Sequence, residues 1–234
     1  MPAHPLLPLL LAGALALTAA CSRTQVRQLV RQVAEQPVDT TGYARQELSV
    51  APFTAVEIDC MADVSYECDS TASVSLMAPP EVLRNLVVKV DGDTLLLSFH
   101  RHYRLPERVV PVVQVKAPQV GCFNLYGCKC LRLGRLHTAL PLQLMLSGVG
   151  SITSEQLQAP SVSLTLNGAG NICLNGLRTD RLSAAIDGTG EVSLEGSSRT
   201  ASFRMNGSGT IDISALQLDT KPQIIGQGQG TVKQ

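Results

Sequence analysis

Tryptophan is absent from this chain of 234 residues, and all aromatic side chains together amount to 3%. With 44% of residues apolar, a core can be buried, but so few rings mean that it is built from Leu, Val, Ile and Ala. Charge is sparse as well. Only 16% of residues are Asp, Glu, Lys or Arg, against about a quarter in ordinary globular chains, and the formal net charge is zero. That balance lacks the basic footprint of a nucleic-acid binder, so no nucleic-acid partner is expected, and strong attraction to acidic surfaces is not supported. Helical patterning is scarce beyond the first 46 residues.

The N-terminus carries an address. "LLPLLLAGALALTAAC" (6–21) is apolar and ends in small residues and a cysteine. It is short and Ala-rich for a membrane span and fits a signal peptide over residues 1–20. Pro2, Pro5 and Pro8 argue against a buried helix there. Ala19-Ala20-Cys21 resembles a bacterial lipobox, with Cys21 as the lipid-modified first residue of the mature chain. Thr18 stands where that motif prefers Leu, and no Lys or Arg precedes the apolar run, so plain secretion with cleavage is the rival reading. Residues 21–46 then form a polar tether. Val26, Leu29, Val30 and Val33 keep helical spacing for two turns, with Arg23, Arg27 and Arg31 mostly opposite, which suits either a frayed tether or a membrane-surface contact.

Export permits disulfides among the other six cysteines, 60, 68, 122, 128, 130 and 173. Cys60 and Cys68, eight apart around "MADVSYE", are the candidate pair. Cys122, Cys128 and Cys130 crowd one region, but C-x5-C-x-C lacks a fourth ligand and the usual C-x2-C spacing, so no metal is expected. Cys173 reads as a small buried hydrophobe. The stretch "HRHYRLPER" (100–108) gathers two His and three Arg and reads as an exposed loop, since nothing nearby completes a metal site. No cofactor motif is present.

From Glu47 the text becomes strands. "FTAVEIDCMADVSYEC" alternates Val56/Ile58 and Val64/Tyr66 with polar neighbours, Asp91-Gly92 marks a hairpin, and Pro111 places part of "ERVVPVVQVKAP" at an edge or bulge. Pro79-Pro80-Glu81 opens one helical turn. After Gly121 a period emerges. Glycine pairs fall at 148/150, 168/170, 188/190, 207/209 and 228/230, in steps of 20, 20, 19 and 21. A polar residue precedes each pair (Ser147, Asn167, Asp187, Asn206, Gln227). A β-branched residue follows two positions after it (Ile152, Ile172, Val192, Ile211, Val232). Leu157, Leu177 and Leu216 recur seven after the second glycine, where the remaining complete copy has Ser197. A degraded first copy has Gly127 with Lys129 in place of the second glycine.

Each unit is thus strand, polar corner, strand, link. One unit cannot bury its own apolar face, so the units stack. The fold expected is all-β: a right-handed parallel β-helix with coils of about 20 residues over 121–234, and a more irregular β half over 47–120. A meander of hairpins explains each corner but not the recurrence in register. Phosphate binding by the Gly-x-Gly pairs is disfavoured, because each pair leads into a strand and offers no helix N-terminus.

The serial "SGVGSI", "NGAGNI", "DGTGEV", "NGSGTI" and "GQGTV", behind "LSVAPFTAVEIDCMADVSYEC" and "VDGDTLLLSF", resemble the head GIN domain, the auto-transporter adhesin domain of bacterial envelopes, over about residues 47–231. That resemblance implies an exported β-helical protein, often a lipoprotein of an envelope with an outer membrane, and no enzyme activity. The function expected is a non-catalytic module, tied to a membrane through its lipid anchor, that binds an unidentified protein or glycan. Two alternatives stand: a scaffold or sensor for another envelope protein, and a carbohydrate-active enzyme. The enzyme needs paired carboxylates on one face, and the candidates Glu155, Asp180, Asp187, Glu191, Glu195, Asp212 and Asp219 read as corner or solvated positions. His137 is the only histidine of the repeat region. No catalytic residue is assigned.

Overall fold

A computed structural model describes residues 38–226 and 228–234; the signal peptide, Cys21 and most of the tether lie outside them. Alternating apolar and polar residues make eighteen strands among the described residues. They are β1 Ala44–Ser49, β2 Ala55–Asp59, β3 Asp63–Cys68, β4 Ser73–Ala78, β5 Leu86–Asp91, β6 Thr94–Phe99, β7 Val112–Ala117, β8 Cys122–Tyr126 and β9 Cys130–Arg132, followed by β10 Arg135–His137, β11 Leu142–Gly148, β12 Ser151–Ser154, β13 Gln156–Gly168, β14 Asn171–Gly188, β15 Glu191–Met205, β16 Thr210–Leu218, β17 Gln223–Gly226 and β18 Thr231–Lys233. A helix α1, Pro80–Asn85, supplies the one expected helical turn, with Pro at its start and Val82 buried.

The strands wind into a parallel solenoid, as the repeat implies. On a first face, in-register pairing lines up Leu95, Val56, Phe123, Leu144, Leu164, Ala184, Phe203 and Ile224. On a second face, Val113, Val64, Leu131, Ile152, Ile172, Val192, Ile211 and Val232 form an aliphatic ladder, β-branched at every position but Leu131. A third face is made by β10 and the linking portions of β13 to β16, with Leu136, Leu157, Leu177, Gly196 and Leu216 in one row. All but the terminal or linking members of these rows are buried aliphatics or Phe. The rows make one continuous core with few rings, at about 25 cal/mol per Å² of apolar surface removed from water.

One expectation changes. The third-face Leu is missing from one copy because the chain there is one residue shorter. The register slips between Leu174/Leu177 and Leu194/Gly196, so Gly196, not Ser197, occupies the Leu row. The half over 47–120 is the more irregular one, as expected, yet it also contributes coils to the stack. β2–β3 and β6–β7 are themselves parallel coils, stacked out of chain order: β2 lies between β6 and β8, and β3 between β7 and β9. Antiparallel strands then close that end, with β5 on β6, β4 on β7 and β1 on β4. The Asp91-Gly92 hairpin joins β5 to β6 through Gly92 at φ +62°.

A candidate binding groove and the residues around it

At each corner the glycines serve close approach. The Ala169 N–H donates to the Gly148 carbonyl at 3.1 Å, Thr189 to Gly168 at 2.9 Å and Ser208 to Gly188 at 2.9 Å. A Cβ on Gly168, Gly188 or Gly207 would run into the carbonyl of the preceding coil's glycine. The polar column stacks Ser147, Asn167 and Asp187 in register, and Asn206 Nδ2 donates to Asp187 Oδ1 at 2.7 Å. Asp187 is therefore a structural rung.

The other coil carboxylates are dispersed or engaged. Asp180 forms an ion pair with Arg199 at 2.7 Å; the charged guanidinium is favoured first by the hydrogen bond to Asp180 and last by the charge of Asp219. Asp212 is buried, accepts from the Ser214 hydroxyl and N–H, and pairs with Lys233 at 3.1 Å. Glu155 pairs loosely with Arg135 at 3.8 Å on the surface. The β14–β15 and β15–β16 registers place Glu191 at a strand start and Glu195 at the turn into the third face. Among the described residues no cluster of three or more His, Cys, Asp and Glu could hold a metal ion. Residues 100–108 are the loop between β6 and β7, with Tyr103 packed against Phe99 at 5.3 Å.

The bend between the third and first faces makes a long depression. One part, of about 400 Å³, is lined by His137, Gln158, Arg178 and Ser197, outward members of one row. The next, of about 550 Å³, is floored by Val162, Leu182 and Ala201 and walled by Ser161, Ser163, Ser183, Thr200, Ser202 and Thr220. Arg181 and Lys221 are its only charged lining groups. Neighbouring rows are about 4.8 Å apart, so the hydroxyls form a ladder along the axis. Sequence reading missed these residues because they share no motif. Their only signal is that they face outward in successive copies, which cannot be read before the register is known.

Asp63 was missed too. It is 2% exposed, bonded to Arg132, and 3.9 Å from Lys129; it ties β3 to β9. The structure does not bring Cys60 and Cys68, the expected pair, together. Cys60 precedes β3 and Cys68 ends it. The six extended residues of β3 at about 3.3 Å each set the two Cα atoms far beyond the roughly 7 Å limit of a disulfide. Cys68 is exposed and its Sγ donates to the Pro118 carbonyl. Among the described residues no helix is long and apolar enough to cross a membrane.

Residues 135–233 match the family model described as "Putative auto-transporter adhesin, head GIN domain". This is the resemblance read from the glycine pairs, and the matched segment holds all five of them. Two crystal structures share the fold. A "putative adhesin" from Bacteroides fragilis is 16% identical at a TM-score of 0.60, covering 82% of this chain and 96% of its own. A "putative lipid binding protein" from Parabacteroides distasonis is 17% identical at a TM-score of 0.58, with the same coverage. Among curated proteins no sequence match is found.

Proposed function

We propose that this protein is an exported, non-catalytic binding module of the cell envelope. In this reading Cys21 carries the lipid that holds it to a membrane, and the groove of Arg181 and Lys221 receives an extended glycan bearing acidic groups. The observation that carries the ligand reading is the composition of the part of the groove over Val162, Leu182 and Ala201: rows of Ser and Thr hydroxyls with two cations and no carboxylate, while Asp180 of the adjoining part is ion-paired to Arg199. Hydroxyls on a fixed sheet exchange hydrogen bonds with sugar hydroxyls, and a guanidinium takes a carboxylate or sulfate in a bidentate pair. The head GIN match over the coils supports adhesion as the role, and export follows the same family reading.

The enzyme alternative is weakened because Asp180, Asp187 and Asp212 are each held by a neighbouring Arg, Asn or Lys and none is left in the facing-pair arrangement that glycoside chemistry uses. A glycan array with the full chain tests the proposal. Uronate- or sulfate-bearing polymers are expected to bind. Arg181→Ala with Lys221→Ala is expected to weaken them by at least about tenfold, or about 1.4 kcal/mol, with the β-sheet spectrum unchanged. Binding that survives the double substitution removes the groove from the mechanism. Sedimentation with anionic vesicles but no glycan binding favours a lipid ligand, the class in the name of the Parabacteroides neighbour. Turnover of a polysaccharide overturns the non-catalytic reading. Cys21→Ser is expected to move the protein from the membrane fraction to the soluble fraction; equal partitioning removes the anchor.

A further inference from the structure

The corner that joins the first and second faces holds two buried cysteines in adjacent coils. Cys60 sits in the turn between β2 and β3, and Cys128 in the turn between β8 and β9. Both are buried, Cys60 at 5% exposure and Cys128 at 0%. The strands on each side of the turn fix the register: Ile58 pairs with Leu125 before it and Asp63 with Cys130 after it. The offset is the same on both sides, so the turns run alongside each other without a slip. Cys60 then lies opposite Gly127, and Cys128 opposite Met61, one step along.

Stacked turns about 4.8 Å apart, offset by one residue of at most about 3.8 Å, separate two Cα atoms by about 5–6 Å. That is the commonest Cα separation of protein disulfides. The local conformation turns both side chains to the same side. Gly127 takes φ +90°, and after it Cys128 is wholly buried while its register partner Met61 is exposed to solvent. The Cys128 Sγ already reaches into the other coil, donating to the Ala62 carbonyl at 3.1 Å, while the Ala62 N–H closes the same turn on the Cys60 carbonyl at 2.8 Å. Cys130 is three register steps from Cys60, too far to compete. Cys122 and Cys173 lie on different faces, paired beside Ala55 and Thr153.

We propose that Cys60 and Cys128 form a disulfide that staples the β2–β3 coil to the β8–β9 coil when the chain folds under oxidising conditions. The oxidant is a disulfide, either oxidised glutathione or the active-site disulfide of a thiol oxidoreductase. One cysteine thiolate attacks a sulfur of that disulfide and releases its other sulfur as a thiol, leaving a mixed disulfide. The second cysteine attacks the first cysteine's sulfur, which closes the Cys60–Cys128 bond and expels the oxidant's remaining sulfur. Two protein thiols lose two protons and two electrons, and the oxidant becomes a dithiol or two thiols. The step belongs to folding and not to the finished coil. Burial pushes the Cys60 thiol up to about 12, with Asp59 adding to it, and raises Cys128 as well, so neither is an attacking thiolate once the turns have closed.

The test is refolding of the full chain from denaturant in reduced and oxidised glutathione, alkylation of the remaining thiols, and tryptic digestion without reductant. Cys60 and Cys68 leave in one peptide, 46–84, and Cys122 and Cys128 in another, 117–129. The expected product is a covalent pair of these two peptides that separates on reduction. It persists in Cys68→Ser and Cys122→Ser and is lost in Cys60→Ser and in Cys128→Ser. An internal bridge within peptide 46–84 would restore the Cys60–Cys68 pairing and overturn the proposal. So would a pair that depends on Cys68 or Cys122, or full alkylation of all four thiols. Reduced chain folded before glutathione is added is expected to stay unlinked, as burial requires.

Discussion

A single methyl group sets how closely the coils approach at their corners. Gly168 is at φ +142°, and a Cβ there would strike the Gly148 carbonyl that the Ala169 N–H uses. Gly168→Ala therefore combines backbone strain with a displaced coil-to-coil hydrogen bond and is expected to lower stability by about 2–4 kcal/mol. Gly226→Ala is the control, since its nearest atom, the Met205 carbonyl, lies at an ordinary 3.9 Å. It is expected to stay within about 0.5 kcal/mol of the parent. Urea midpoints at a constant slope compare the two. Equal losses would mean that the glycines serve chain flexibility and not the approach of the coils.

Between elements, the informative contact is polar. Asp63, at the start of β3, is almost wholly buried and is matched by Arg132 at the end of β9, with Lys129 behind it. Removing the carboxylate leaves a half-covered guanidinium facing the space it vacated. Asp63→Ala is expected to destabilise the chain by about 2 kcal/mol, less than the 3–5 kcal/mol of a fully buried broken pair because Arg132 retains access to water. Asp63→Asn, which keeps shape and a hydrogen-bond acceptor, is expected to lose less, and thermal melts in dilute and in high salt separate charge from shape. The sequence shows which elements exist here better than how they meet. The ladder of Ile152, Ile172, Val192 and Ile211 was legible because one residue type recurs at a fixed step. Asp63 was not, because nothing in "MADVSYE" marks its partner 69 residues away. The one-residue shortening that puts Gly196 in the Leu row was visible as a 19-residue step but was assigned to the wrong column. The groove cations Arg181 and Lys221 stayed hidden, since only the bend between faces brings them to one wall.

At the scale of the molecule, the two ends of the stack differ. One end is closed by antiparallel β5, β4 and β1. There the ion pairs Lys89–Asp91 and Arg45–Glu47 place charge along the outermost strands, a common protection of exposed strand edges. At the other end β17 and β18 pair on one side only, and Ile224 and Ile225 are exposed. Because each coil in a solenoid leans mainly on its neighbours, a chain stopped at Leu218 is expected to keep a β-sheet spectrum with a lowered melting temperature. A chain begun at Thr94 is expected to be insoluble, since β6–β7 then loses β2–β3 and β8–β9 loses its cover. Soluble, β-rich protein from the shorter chain would show that the coils after Gly121 are self-sufficient. The out-of-order placement of β2–β3 also bears on how the chain finds its form. Its first-made coil ends up with a later coil on each side, so it grows in two directions. One neighbour arrives within the following 40 residues or so, at Thr94, and the other only at Cys122. Such delayed pairing lengthens the average sequence separation of contacts and slows folding. A chain threaded through a membrane from its N-terminus would hold that coil half-covered until Cys122 and the residues after it emerge.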